Sequence, residues 1–431
     1  VHLSNKDGWT PLHQSVRNGD LAVMRILLEH GADLEAQDME NDTPLHLTAQ
    51  EGKLTVAKLF LEHGSSVNAR NATSSTPLHH AFLCEYTDII QLLLEHGADI
   101  EAQDNDGDTP LHVTIHKGKL AAVQMLLRHG ARVDVRNGHG WTLLHQASSN
   151  GDPNIMRLML ECHMDVEAHD SAIAATPLHL AAFMGNNVAA QLLLENGAIV
   201  DTRDVDDRVA LHHASTRGHL ELVQLLLDHG ADVEVQETKH ETPLFMAARQ
   251  GHLAVAQLLL KHDAVVDAPD QGGHTPLHQA SWSGYADVIQ LFLQHGANPE
   301  ATDHEQATPL HLATYNGKLT AAQTLVEHGA IVHARNGVGW TPLHHASLNG
   351  YPDIVELLLE HRADADAQDN EHLTPLHLAV AEGKIEVVRP LLEYGANVHA
   401  RNKDRRTPLQ FALSRENQEL VQLLSEYRST Q

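Results

Sequence analysis

The sequence predicts an all-α solenoid of stacked helix-turn-helix units joined by β-hairpin-like loops, and three observations carry that prediction. A Thr-Pro-Leu-His string, first seen as Thr10, Pro11, Leu12 and His13, returns along the whole chain. Its Thr position recurs at Thr10, Thr43, Thr76, Thr109, Thr142, Thr176, Val209, Thr242, Thr275, Thr308, Thr341, Thr374 and Thr407. The interval is constant, a period of about 33 residues, except that the step from Thr142 to Thr176 is one longer. Aromatic residues make up only 4% of the 431. That suits thin helical layers packed through Leu, Ala and Val better than a large core filled by rings. The pattern defines 13 units, numbered here from Thr10. No linker or low-complexity stretch interrupts them, so residues 1–431 are expected to form one continuous domain, on the order of 130 Å long at ordinary helix spacings.

Each element of the unit has a local reason. Thr suits the N-cap, and Pro directly after it suits the first helical position, where the missing N–H costs nothing. A short helix such as Pro44–Gln50 follows and stops near a Gly such as Gly52. A second helix carries an apolar stripe, as in Leu220, Leu222, Val223, Leu225, Leu226 and Leu227, and ends at His-Gly-Ala with Gly230 where a left-handed cap is wanted. An extended segment such as Val233–Val235 then leads through a polar tip to the next Thr. Neither helix is long enough to be stable alone, so stability comes from stacking on neighbours. Three units replace the cap Gly by His163, Asp263 or Arg362, and unit 7 replaces Thr-Pro by Val209-Ala210. With the extra residue before Thr176, residues 160–215 are the expected weak stretch.

The period, the Thr-Pro-Leu-His-x-Ala string and the closing Gly-Ala-Asp-Val resemble the ankyrin repeat, and near-identical arrays of this length are similar to long fungal-type ankyrin arrays. The resemblance implies a curved stack of L-shaped repeats that binds proteins through hairpin tips and concave inner helices. It also implies that the 11 histidines of the Thr-Pro-Leu-His slot hydrogen-bond to neighbouring loops.

Composition removes several function classes. With 29 Lys and Arg against 57 Asp and Glu, the formal charge is −28, which repels nucleic acid and anionic lipid at long range. No apolar run reaches the roughly 20 residues of a membrane span. Cys84 and Cys162 lie more than two units apart, too far in a stack to bridge, and point to a reducing, cytoplasmic compartment. Partners are therefore expected to be other proteins, with no nucleic acid and no membrane insertion, and a monomer is the default.

The units alternate. Even ones mostly carry Lys after the first helix, at Lys53, Lys119, Lys318 and Lys384, and Arg entering the tip, at Arg70, Arg136, Arg203, Arg335 and Arg401. Odd ones carry acid one place later, at Asp38, Asp104, Asp170, Glu237, Asp303 and Asp369. Duplication by pairs accounts for this; basic bands roughly 20 Å apart that match a partner would account for it too. At the ends, Val1–Trp9 matches Val332–Trp340, so the chain is expected to begin inside a preceding unit. The last unit departs from the pattern at Gln410, Ser425 and Arg428, as a cap near 407–431 would.

Few residues suggest chemistry. His112 and His116 have a zinc-compatible spacing but no third ligand. Asp104, Asp106 and Asp108 imitate a calcium loop whose required Gly and Glu are Thr109 and Ile115 here. No phosphate loop, zinc-helix motif or nucleophile elbow is present, so neither catalysis, a cofactor nor a metal is expected. The candidates for partner contact are Trp9, Trp141 and Trp340, which directly precede the Thr, and Trp282, Phe183 and Tyr315, which end first helices beside the concave surface. Arg136 and Arg335 are the candidate tip charges. Packing against the adjacent hairpin is the alternative role for the tryptophans. The function expected is a protein-interaction scaffold or recognition array. Two other arrangements of a parent protein are a C-terminal sensor arm behind a nucleotide-switch (NACHT-like) or other enzyme, and the cytoplasmic domain of a membrane protein.

Overall fold

The computed structural model describes residues 3–428, apart from the Arg428 side chain. Among these residues it contains 26 helices and no strand, in the alternation of short and slightly longer helices that the repeat predicts. The chain divides into two compact bodies, one closing at Asp206 and the other opening at Asp207. Within each, first helices pack on the first helices of adjacent units and second helices line the other side. Val1, part of the matched N-terminal segment, lies outside the described residues, as does the Arg428 side chain.

The recurring histidine is what joins one unit to the next. In unit 9 the Thr275 N–H donates to His278 Nδ1 at 3.1 Å, and Thr275 Oγ1 lies 2.9 Å from the same nitrogen. Because Nδ1 accepts, the ring proton sits on Nε2, which donates to the Ala307 carbonyl of unit 10 at 3.1 Å. The same pair of bonds links His13 to Asp42, His46 to Ser75, His311 to Trp340 and His377 to Arg406. These rings are buried, and burial holds them below the ordinary histidine range, at about 4 for His112, His278 and His344. In the last unit Gln410 stands in the slot, and its Oε1 accepts from the Thr407 N–H at 2.9 Å.

Second helices begin and end by equally local means. At several junctions the residue before the second helix lies across the first-helix cap Gly of the preceding unit. A Cβ built on Gly52 would come within 2.6 Å of Tyr86, and one on Gly284 within 2.8 Å of Lys318. The change among Lys, Tyr, Asn and His at this position therefore varies the wedge between neighbouring units. At the other end, histidines such as His30, His229 and His328 donate Nδ1–H to the carbonyl four residues back, at 2.8 Å. Asn196 makes the same bond with its amide.

The segment Val233–Val235 is not extended as the sequence suggested. Asp232 Oδ1 accepts from the Glu234 N–H at 2.9 Å, and this side-chain turn bends the backbone where β-branched residues favoured a strand. The tips are short loops closed by backbone bonds such as Glu237 N–H to the Glu241 carbonyl and His240 N–H to the Glu237 carbonyl. The expected left-handed caps are present. Gly230 has φ 83°, and His163, Asp263 and Arg362 are forced to 54°, 66° and 65° at the same place.

Three outcomes are expected. A Cβ on Gly230 would meet nothing within 4 Å, so only the dihedral is costly there. Asp263→Gly and Arg362→Gly should each stabilise by about 1 kcal/mol, and Gly230→Ala should destabilise by a similar amount, in urea unfolding. Hydrogen exchange should be fastest between residues 160 and 215. There His163 is strained, the inserted loop holds Ala174 at φ 54°, and Val209 has no side-chain oxygen with which to cap its helix. Uniform protection would contradict this. Finally, the buried rings stay neutral to about pH 4 in the native state, whereas the unfolded chain takes up those protons near 6.5. Stability should therefore fall as pH drops from about 6.5 to about 4, by on the order of 3 kcal/mol per ring at most, with no further loss from these groups below.

Candidate functional site

Two positions of each unit meet on one face: the residue before the Thr and the residue that ends the first helix. In unit 1 the Arg17 guanidinium lies 5.3 Å above the Trp9 ring. In unit 8 Arg249 pairs with Glu241, and in unit 13 Arg406 donates to Ser414 Oγ at 3.0 Å. Trp282 and Tyr315 hold the second of these positions in consecutive units of the second body. The repeat brings them side by side, with ring centroids 5.9 Å apart and planes 22° from parallel. They remain 44% and 43% exposed.

From Tyr315 the aromatic contact continues through a residue that the sequence did not single out. His345 meets Tyr315 edge-on at 5.5 Å and Trp340 at 5.0 Å. Three of the expected residues are thus joined in one cluster with this histidine. Beside them lies a cavity of about 500 Å³, walled by Trp282 and Tyr315 and floored by Ala307, His311, Asn336 and His345. Ala307 stands at the repeated position that His274 and Trp340 hold in the flanking units, so its own unit places no large side chain there. That signal was legible in the sequence as a small residue between two large ones at the same slot.

The floor is polar and uncharged at neutral pH. Burial pushes His345 down to about 3, with His311 and His344 adding to the effect, and burial also lowers His311. The acids nearby are engaged. Asp303 Oδ1 accepts from the Glu305 and Ala307 N–H groups at 2.8 Å each, and its other oxygen lies 3.4 Å from His274 Nε2. Aromatic walls over a neutral hydrogen-bonding floor suit recognition of a side chain.

Most of the expected tryptophan and arginine residues are held by internal bonds. The indole N–H groups of Trp9, Trp141 and Trp340 donate to Asp38, Asp170 and Asp369 of the next tips along the chain, at 3.2, 3.3 and 2.9 Å. Arg136 donates to the Gly140 and His169 carbonyls, and Arg335 to the Gln368 carbonyl, each spanning to the next tip. Phe183 belongs to the first body and is 38% exposed at the end of Pro177–Met184. Asp104, the opening of the calcium-loop imitation, accepts from the backbone N–H groups of Asp106 and Asp108. His112 has both ring nitrogens engaged, by Thr109 and by the Trp141 carbonyl.

A family model described as ankyrin repeats (3 copies) matches residues 34–104, 97–170, 144–237, 232–303, 296–369 and 361–430, and one described as ankyrin repeat matches residues 7–39. No curated protein matches the chain.

The geometry separates two tryptophans that look alike in sequence. Trp340→Phe removes a bond to a buried carboxylate and should destabilise by about 1–2 kcal/mol in urea unfolding. Trp282→Phe keeps a ring on an exposed face and should change stability by less than about 0.5 kcal/mol. Equal effects would mean that the indole–Asp369 bond contributes nothing.

Proposed function

The chain belongs to the ankyrin-repeat family, whose members are in general protein–protein interaction modules, and from that premise we propose that it is a recognition array whose principal anchor surface is the Trp282–Tyr315 face of the second body. The observation that carries this reading is the pair of stacked rings, each nearly half exposed beside a cavity of about 500 Å³. Rigid aromatic side chains give large contact area at low entropic cost, and a cavity beside them can enclose a partner's side chain and exclude water.

Trp340 takes a different role in this proposal from the one its position suggested. Its indole is bonded to Asp369 and its ring meets His345, so it braces a residue of the cavity floor. Arg136 and Arg335 act likewise as ties between tips, with their charge still at the surface. Selectivity then rests on what the cavity accepts. No helix among the described residues is long and apolar enough to cross a membrane.

A phage-displayed random-peptide library panned on the intact chain tests the proposal. Enriched peptides should lose about tenfold or more in affinity on Trp282→Ala with Tyr315→Ala. Trp141→Ala, in the other body, should leave them unchanged. If no peptide is enriched over an unrelated protein, the recognition reading fails; affinity unaffected by the double variant would remove this face as the anchor.

A further inference from the structure

We propose that the cavity over Ala307 seats a carboxylate side chain, an Asp or Glu of a partner polypeptide, where units 2 and 4 of the chain carry their own Asp. This rests on the recognition reading above and names the chemistry of its anchor.

The argument comes from comparing equivalent positions inside one molecule. In unit 2 the residue before the Thr is Asp42, buried, with the Asn71 amide of the next tip donating to Oδ1 at 2.8 Å. His80 Nε2 lies 3.8 Å from the same oxygen. In unit 4 the equivalent Asp108 accepts from the Asn137 amide, also at 2.8 Å. Unit 10 keeps the surroundings and changes the centre. Asn336 and His345 follow Ala307 at the same offsets along the chain as Asn71 and His80 follow Asp42. The amide-to-imidazole distance is nearly the same in the two places, 3.4 Å for Asn336–His345 and 3.3 Å for Asn71–His80. At the centre of that arrangement the acid is replaced by a methyl group.

The consequence is an amide donor, held in place by an imidazole, beside a position that has no acceptor side chain of the unit's own. Asn336 has lost the carboxylate its counterparts bond: one N–H of its amide is directed to His345 Nε2, and the other has no partner in place of Asp42 or Asp108. The position opens into the cavity of about 500 Å³, so a side chain from outside can reach it past Trp282 and Tyr315. A carboxylate placed there restores the bond made by Asn71 and Asn137, and the flanking rings cover the incoming methylene groups.

The overall charge of −28 opposes an acidic ligand only weakly at this range. At physiological salt the field of distant charges is screened beyond about 8 Å. Closer in, Asp42 occupies its own site beside Asp38 and Glu40, and Asp108 sits beside Asp104 and Asp106. The two acids nearest the Ala307 slot are Asp303, committed to its own tip, and Glu305, exposed at the rim.

The test uses the same peptide library, panned in parallel on the intact chain, on Ala307→Asp and on Asn336→Ala. Peptides selected on the unaltered chain should share an Asp or Glu at one position. Changing that residue to Asn or Gln, or Asn336 to Ala, should weaken binding about tenfold or more, as loss of a charge-assisted hydrogen bond does. Ala307→Asp should abolish binding, because it supplies the carboxylate from within. Thermal unfolding by circular dichroism should show that variant at least as stable as the parent, since Asp42 already fits the equivalent slot. Selected peptides that carry Lys or Arg there, that share no acid, or that bind Ala307→Asp undiminished would overturn the proposal and leave the recognition reading standing. Failure to enrich any peptide would remove both.

Discussion

One imidazole ring, shared between the helix it caps and the carbonyl of the next unit, is the interaction on which the fold depends. His278 shows its logic. Nδ1 receives the N–H of Thr275 and fixes the start of its own helix, which fixes the tautomer, which in turn makes Nε2 a donor to Ala307 of the unit beyond. Local capping and the joint between units are therefore one event. A ring protonated at Nδ1 cannot accept the capping bond, and burial is what keeps the proton away. A short helix that is marginal alone is thereby tied to a neighbour by the same residue that starts it.

That joint leaves other positions free to vary. The slot before the Thr contributes its carbonyl to the bond from the preceding histidine, and the carbonyl is the same whatever the side chain. Trp340, Ala307, Asp42 and Arg406 can all stand there without breaking the stack. Diversity accumulates where the backbone carries the structural bond and the side chain is left to vary. The aromatic face and its cavity arise in this way, from variation at two positions of consecutive units over an unchanged frame.

This also explains how far the sequence could be read. The helices, their caps and the strained dihedrals at His163, Asp263 and Arg362 follow from residue types at fixed offsets, because each depends on contacts within one unit or its mirror in the next. The aromatic residues Trp282 and Tyr315 were recognisable because they end first helices; their stacking is seen in the structure. His345 was not legible as a site residue. Its importance comes from Ala307 in the preceding unit, through a comparison between slots that a reading unit by unit does not make. The extended segment expected at Val233–Val235 failed for a related reason: β-propensity is a weak preference, and the Asp232 side chain turns the backbone with a specific hydrogen bond.

The charge illustrates how a total can mislead where a location does not. Many of the acids behind the −28 are building parts. Asp38, Asp104, Asp303 and Asp369 each accept two backbone N–H groups of their own tip, and Asp38 and Asp369 also receive an indole N–H from the preceding unit. A carboxylate so engaged has its hydrogen-bonding capacity directed inward, while its contribution to the net charge is counted in full. The sign of a preferred ligand group is then set by the few donors and acceptors that remain uncommitted at the surface. Around Ala307 that is the second N–H of the Asn336 amide, whose first is directed to His345, and an acidic chain can hold an acidic side chain there for the same reason that it holds Asp42.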